Sequence, residues 1–200
     1  MVVATEMKTR SSIFLAKESV TLTILKGNCA HIIDFYGQEV TIDEKGHAYF
    51  NMLLEYASLG TLGDRILQKP DGIREPKVQR YARMILQGLK YVHEHEYDHC
   101  DIKPDNILLV QSSTNSSSFD AVPKIANFGL AKKVGKRVKL NQNGVSLRGT
   151  ALYVAPESVR YNELEPHSDV WAFRISVLEM LTGKRTWTCD NDSQFLGDVW

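Results

Sequence analysis

Two hundred residues with 24 basic and 24 acidic side chains, 43% hydrophobic content and six prolines describe an ordinary globular chain. No run approaches the roughly 18 apolar residues of a membrane span, and the opening Met1-Val2-Val3-Ala4-Thr5-Glu6 lacks the regions of a secretion signal, so cytosol or nucleus is expected. Zero net charge offers no general field for nucleic acid or an anionic membrane, and three scattered cysteines (Cys29, Cys100, Cys189) form neither a disulfide framework nor a paired zinc motif.

In chain order, the first element is a helix over residues 11–26. Leu15, Leu22 and Leu25 recur at helical spacing, Ser11 or Ser12 can cap the start, and Gly27 ends it. Glu18 falls on the same stripe, so its carboxylate either lies at the stripe's edge or is buried with a cationic partner or a neutralised charge. Residues 32–36 and 40–42 are then expected to face residues 48–55 across the turn Asp43-Glu44-Lys45-Gly46, forming a small antiparallel sheet. After the punctuation at residues 60–63 and 70–72, Val78, Ala82, Ile85, Leu89 and Val92 mark one face of a long helix starting near Pro76. Short strands are expected at 106–110 and 124–126, separated by a polar run, 112–118, that reads as a loop. A last helix follows, with Ser168 as cap, Val170, Val177, Leu178 and Leu181 on its inner face, and Gly183 as its stop. The order is α+β, with strands first, helices later and a boundary near residues 58–62.

The chemistry is concentrated in His99-Cys100-Asp101-Ile102-Lys103-Pro104-Asp105-Asn106. This segment resembles the catalytic loop of protein kinases, His-Arg-Asp-x-x-x-x-Asn. Phosphoryl transfer from ATP needs a carboxylate beside the acceptor hydroxyl, a cation near the phosphate, and oxygen ligands for Mg2+. By that resemblance Asp101, Lys103 and Asn106 fill those catalytic roles in turn, and Lys103 suits the serine/threonine branch. Ala126-Asn127-Phe128-Gly129 resembles the metal-binding Asp-Phe-Gly segment, with Asn106 and Asn127 as the implied metal ligands. Gly149 to Glu157 resembles the end of the activation segment, and residues 168–171 and 178–183 resemble the central helix of the large lobe. Leu54, Glu55, Tyr56 and Ala57, followed by Gly60-Thr61-Leu62, resemble the hinge that binds adenine, with Leu108 on the other side of the slot. The wording is similar to plant MAP kinase kinase kinases of the MEKK type.

The resemblance implies a two-lobe kinase fold truncated at both ends, with a partial small lobe over 1–57 and a partial large lobe over 58–200. It implies that Glu18 is the helix carboxylate that pairs with a strand lysine holding the ATP phosphates, and that Leu22, His99 and Phe128 belong to the family's internal spine. Thr150 and Ser146 are the implied regulatory hydroxyls. Several positions depart from the pattern. The Gly-rich loop has no counterpart, Ala4 or Thr5 stands where the lysine is expected, with Lys8 as nearest substitute, and Asn127 replaces the metal-binding Asp. Cys100 stands for the loop's Arg, Arg174 falls on an apolar stripe where it is either buried at a cost or snorkels to solvent, and the chain stops at Trp200 before the family's closing helices. ATP and Mg2+ are therefore expected to bind weakly. The expected protein is an impaired kinase acting by binding MAP kinase pathway proteins, and an active atypical kinase or a truncated product without a stable fold are the alternatives.

Two other readings stay open. Residues 93–100 hold His93, His95, His99 and Cys100 with neighbouring acids, so a zinc-binding module is a rival, although only His95 and His99 share a helical face. The basic run 132–139 suits either a nucleic-acid patch or a solvated, substrate-facing part of the activation segment.

Overall fold

A computed structural model describes residues 2–8, 12–112, 121–135, 150–161 and 166–186. The chain is α+β. Strand β1 (Val2–Lys8) precedes helix α1 (Ser12–Ile24), after which β2 (Phe35–Ile42) and β3 (Ala48–Glu55) form a hairpin, giving an antiparallel sheet of order β1-β3-β2. The hairpin turn is built as expected: Asp43 Oδ1 accepts from the N–H groups of Lys45 (2.9 Å) and His47 (2.8 Å), and Gly46 takes φ +81°. Those bonds and the His47 ring hold the Asp43 carboxyl below the usual range.

Ile32 and Ile33, expected in this sheet, belong elsewhere. Ile33 N–H donates to Ile125 O (3.0 Å) and Ile125 N–H to His31 O (2.8 Å), so this segment pairs with strand β6 (Ala121–Ile125). Two adjacent buried isoleucines suit a surface covered on both faces, which a sheet with one solvated face does not provide.

A short helix, α2 (Leu62–Leu67), lies where only punctuation is legible by hydrophobic periodicity. Its signal is a capping box: Thr61 Oγ1 accepts from Asp64 N–H (2.9 Å), and the Asp64 carboxylate accepts from Thr61 N–H (2.9 Å). The long helix is α3 (Glu75–Glu94), with Val78, Tyr81, Ile85, Leu89 and Val92 buried as the periodicity requires. Gly88 permits its close approach to the chain, since a β-carbon there would stand 2.9 Å from His31 O. Strand β5 (Ile107–Gln111) pairs antiparallel with β6, and the polar run between them lies, apart from Ser112, outside the described residues.

Helix α4 (Pro156–Tyr161) precedes α5 (Pro166–Thr182), which corrects two expectations and decides between two alternatives for Arg174. Ser168 is no cap but a buried residue within the helix, its hydroxyl 2.8 Å from Ser158 Oγ. Leu178 and Leu181 are exposed, and the inward face carries Asp169, Ala172, Phe173, Ser176 and Met180 instead. Arg174 is exposed, so no charge is buried there. Apolar residues surround this helix, and a pattern without a dominant face leaves its rotation to tertiary packing. Gly183 ends it at φ +69°, as expected. One continuous apolar core runs from Leu22 and Met52 through Ile85, Leu89 and Phe128 to Met180. Among the described residues no helix is long and apolar enough to cross a membrane.

Candidate active site

The loop between β4 (Tyr97–Asp98) and β5 is held from below by α5. Asp169, 1% exposed, accepts from His99 N–H at Oδ2 (2.8 Å) and from Cys100 N–H at Oδ1 (2.9 Å), and His93 Nε2 lies 3.0 Å from Oδ2. A single buried carboxylate thus satisfies two amides of a loop whose Cys100 sits at φ +67°, a strained region for a residue with a β-carbon. The sequence places Asp169 only within the segment 168–171 that resembles the central helix; its signal is an acid in the first turn of α5.

His99 is fully buried, and its tautomer follows from its partners. Asp101 N–H points to Nδ1 (3.2 Å), so that nitrogen carries a lone pair, and the proton sits on Nε2, which donates to Ala126 O (3.0 Å). Burial lowers the imidazole pKa and keeps the ring neutral. Its edge meets the Phe128 ring at 4.8 Å between centroids. With both nitrogens engaged, His99 offers nothing to a metal, and His95 Nδ1 is engaged with Tyr91 O (2.8 Å), so the zinc ligand set does not assemble. Ligand atoms of His93, Asp98 and Asp169 do lie within 4.8 Å of one another, but Lys132 Nζ stands 2.8 Å from Asp98 and supplies the positive charge.

That ion pair also corrects the reading of the basic run. Lys132 and Lys133 form strand β7 opposite β4, and Lys132 is buried against Asp98, whose carboxyl pKa burial raises despite the ammonium. Lys133 lies 3.5 Å from Glu96. Lys132 is therefore not solvated, whereas Lys133 is exposed and paired with Glu96 rather than part of a free basic patch; residues 136–139 lie outside the described residues.

Asp101, Lys103 and Asn106 converge with Thr150. Asn106 Nδ2 donates to Asp101 O (2.6 Å) and Oδ2 (2.8 Å), and Thr150 Oγ1 donates to Asp101 Oδ1 (3.0 Å). Lys103 Nζ donates to Thr150 Oγ1 (2.6 Å) and lies 3.4 Å from Asp101 Oδ2. A carboxylate, a cation and a hydroxyl therefore share a few ångströms, the grouping needed to receive a proton and face a phosphate. Ser146 lies outside the described residues.

Asn127 occupies a left-handed position (φ +64°) and donates from Nδ2 to Asn106 Oδ1 (3.0 Å). The amide orientations follow from the network: Asn106 Nδ2 already serves Asp101, so its oxygen is the acceptor and Asn127 must present N–H. The two implied metal ligands are thus bonded to each other. Two neutral amides, one turning N–H toward the other's oxygen, do not suit Mg2+, a hard cation that favours carboxylates.

Glu18 is buried as the stripe implied, but its described partner is not a lysine. Its Oε1 accepts from Phe128 N–H (2.9 Å), joining α1 to the turn that carries Asn127. Burial raises its carboxyl pKa, and the N–H groups of Phe128 and Asn127 offset this only partly. A carboxyl raised above its ordinary value of 4.5 holds its proton more tightly folded than unfolded. Its stabilising contribution is therefore full below the unfolded pKa and lost as pH rises through the folded one. Glu18→Gln keeps the acceptor oxygen without the charge. Urea unfolding between about pH 5 and 8 should give a flatter stability profile for this variant and a higher midpoint at the alkaline end.

The implied hinge residues fall at the end of β3. Leu54 and Leu108 both pack on the edge of the core, Tyr56 is exposed and Ala57 half-buried. Glu55 is turned away to Lys124 of β6, with Nζ to Oε2 at 2.5 Å. The β5 edge meets the following segment through Leu59 N–H to Leu109 O (3.2 Å) and Leu109 N–H to Gly60 O (2.9 Å).

A carboxylate, lysine and asparagine on one loop, anchored by a buried Asp on a central helix and facing an Asn-Phe-Gly turn, define the class. Residues 3–198 match the protein kinase domain, and the chain belongs to that family. It is similar to mitogen-activated protein kinase kinase kinase 20 of Arabidopsis thaliana, 39% identical over 183 residues covering 91% of this chain and 51% of that protein. Mitogen-activated protein kinase kinase kinase 17 of the same plant is 33% identical over 88% of this chain and 43% of its own length. MAP kinase kinase kinase mkh1 of Schizosaccharomyces pombe is 35% identical over 76% of this chain and 13% of its own. The chain spans about half the length of the plant relatives.

Proposed function

We propose that this chain is a serine/threonine protein kinase domain of the MAP kinase kinase kinase type whose phosphotransfer is impaired, and that it acts by binding MAP kinase pathway proteins. In this reading residues 1–57 form the small lobe and 58–200 the large lobe, with the nucleotide between them at residues 54–57 and Leu108. The single observation that carries it is the Asn127–Asn106 hydrogen bond, which ties the two metal positions together by amides. The register of β1 adds to it, since Ala4 and Thr5 stand opposite Leu53 and Met52, where the family's lysine is expected. ATP binding would then be weak and nearly independent of Mg2+.

Asp101 remains able to accept a hydroxyl proton, and Lys103 to face a phosphate. Positioning and charge neutralisation dominate this chemistry, however, and removing one electrostatic stabiliser typically lowers the rate on the order of 10² to 10³. Thr150 is the expected regulatory hydroxyl, but Cys100 stands where the family's Arg would grip a phosphate, and Thr150 Oγ1 lies against the Asp101 carboxylate as well as the Lys103 ammonium, so phosphorylation would have only a small ordering effect. A radiolabelled-phosphate assay on a generic serine/threonine substrate, beside an Asp101→Asn control, tests the reading. Transfer barely above the control is expected, and robust turnover abolished in the control would establish an active kinase instead.

A further inference from the structure

We infer that Lys124 is a positioning residue that latches residues 54–57 to the β5–β6 hairpin through Asp34 and Glu55. Its consequence for nucleotide rests on the proposed function; the latch itself does not. The Lys124 side chain is about as buried as a core residue, 10% exposed, yet its ammonium lies 3.0 Å from Asp34 Oδ2 and 2.5 Å from Glu55 Oε2. Three segments distant in sequence meet there: the α1–β2 connection, the end of β3 and β6. The two acids are already fastened by Glu55 N–H to Asp34 O (2.9 Å), and Asp34 N–H points to Glu55 Oε2 (3.5 Å). Burial alone would push the ammonium's pKa down, but the two carboxylates more than reverse that, so it stays charged.

The arrangement is conditional on the cation. Two carboxylates so close repel unless a positive charge lies between them, and Glu55 belongs to the segment that would carry that strain. Lys124 also stands three residues before Asn127 on the same strand-to-turn segment. The latch therefore joins the nucleotide-side segment to the turn that Glu18 grips at Phe128, so that neither moves independently of the other. A core role alone would be served by an apolar residue at 124, as by its neighbour Ile125.

The test is amide hydrogen exchange on the full, ligand-free chain and its Lys124→Met, Lys124→Arg, Asp34→Asn and Glu55→Gln variants. Lys124→Met should raise exchange at residues 31–35 and 53–57 by about 10-fold or more while leaving α3 unchanged, and Lys124→Arg should restore protection. Asp34→Asn, at a half-exposed side chain, should give a smaller local increase and add little to Lys124→Met, as expected for partners in one interaction. An unchanged 53–57 segment, additive effects, or a uniform rise that includes α3 would overturn the latch. Should Lys124→Met fail to fold, Asp34→Asn and Glu55→Gln decide by the same criterion. Calorimetry with ATP on the same proteins judges the other reading: no binding to the natural chain refutes the nucleotide site, while exchange, which needs no ligand, still decides the latch.

Discussion

Asp169→Ala is expected to cost about 3–5 kcal/mol of unfolding free energy, the range for breaking a buried, hydrogen-bonded charged group. The carboxylate is the acceptor for His99 N–H and Cys100 N–H and lies against His93, so its removal leaves two buried amides without partners, each worth about 1–3 kcal/mol. It also releases Cys100, whose positive φ is tolerated only while the surroundings impose it. One effect opposes these losses. Asp98 lies close by, its charge disfavoured by Asp169, and that repulsion would vanish. Because Lys132 already compensates Asp98 at 2.8 Å, the relief should be smaller than the loss of two buried hydrogen bonds. Asp169→Asn keeps one acceptor oxygen and should lose roughly half as much. Urea unfolding with a constant slope measures both, and a loss below about 1 kcal/mol for the alanine variant would mean that the loop is held by other contacts.

Asn127→Asp is expected to introduce a Mg2+ dependence that, in the proposed reading, the natural chain lacks. In the natural chain Asn127 donates to Asn106 Oδ1, and a cation there would have to break that bond. An aspartate would set carboxylate oxygens against that same acceptor, destabilising the ligand-free fold, and would supply the hard anionic ligand that Mg2+ prefers. Thermal unfolding should then show a lower midpoint without divalent ions and a rise with added Mg2+. At a hundredfold excess over Kd the linkage is worth about 2.7 kcal/mol, which for a chain of this size corresponds to roughly 5–10 °C. The natural chain should show a flat response. An equal Mg2+ response in both proteins would remove Asn127 from any account of metal dependence, and with it the main support for impaired catalysis.

Some of this architecture was legible because local patterns carry their own physics. The β2–β3 hairpin followed from β-branched and aromatic runs around an Asp-x-x-Gly turn, and α3 from a clean apolar stripe opened by a proline. The loop from His99 to Asn106 was legible as a motif, since its acid, lysine and amide stand at the spacings of the family's His-Arg-Asp-x-x-x-x-Asn pattern. Glu18 was readable as a buried carboxylate from its place on the α1 stripe. Its described partner was not, because a backbone N–H has no sequence signature, and the grip on Phe128 N–H joins positions 110 residues apart.

The remaining features share one physical cause. Lys132 reads as solvated because lysine usually is, and only the arrival of Asp98 from β4 makes its burial tolerable. Helix α5 mixes apolar and polar residues around its circumference with no dominant apolar face, so its rotation is chosen by what packs against it, which turned Asp169 inward and Leu178 outward. Ile32 and Ile33 show strand propensity, but the partner they take, Ile125, lies more than ninety residues away. What the sequence by itself determined is the family, the order of its elements and the residue types of the loop 99–106, because periodicity, turn chemistry and motif spacing act over a few residues. Only the tertiary structure decided which charges are buried and what they meet, because an ion's partner is selected by its neighbours in space, and those are set by packing between segments distant along the chain.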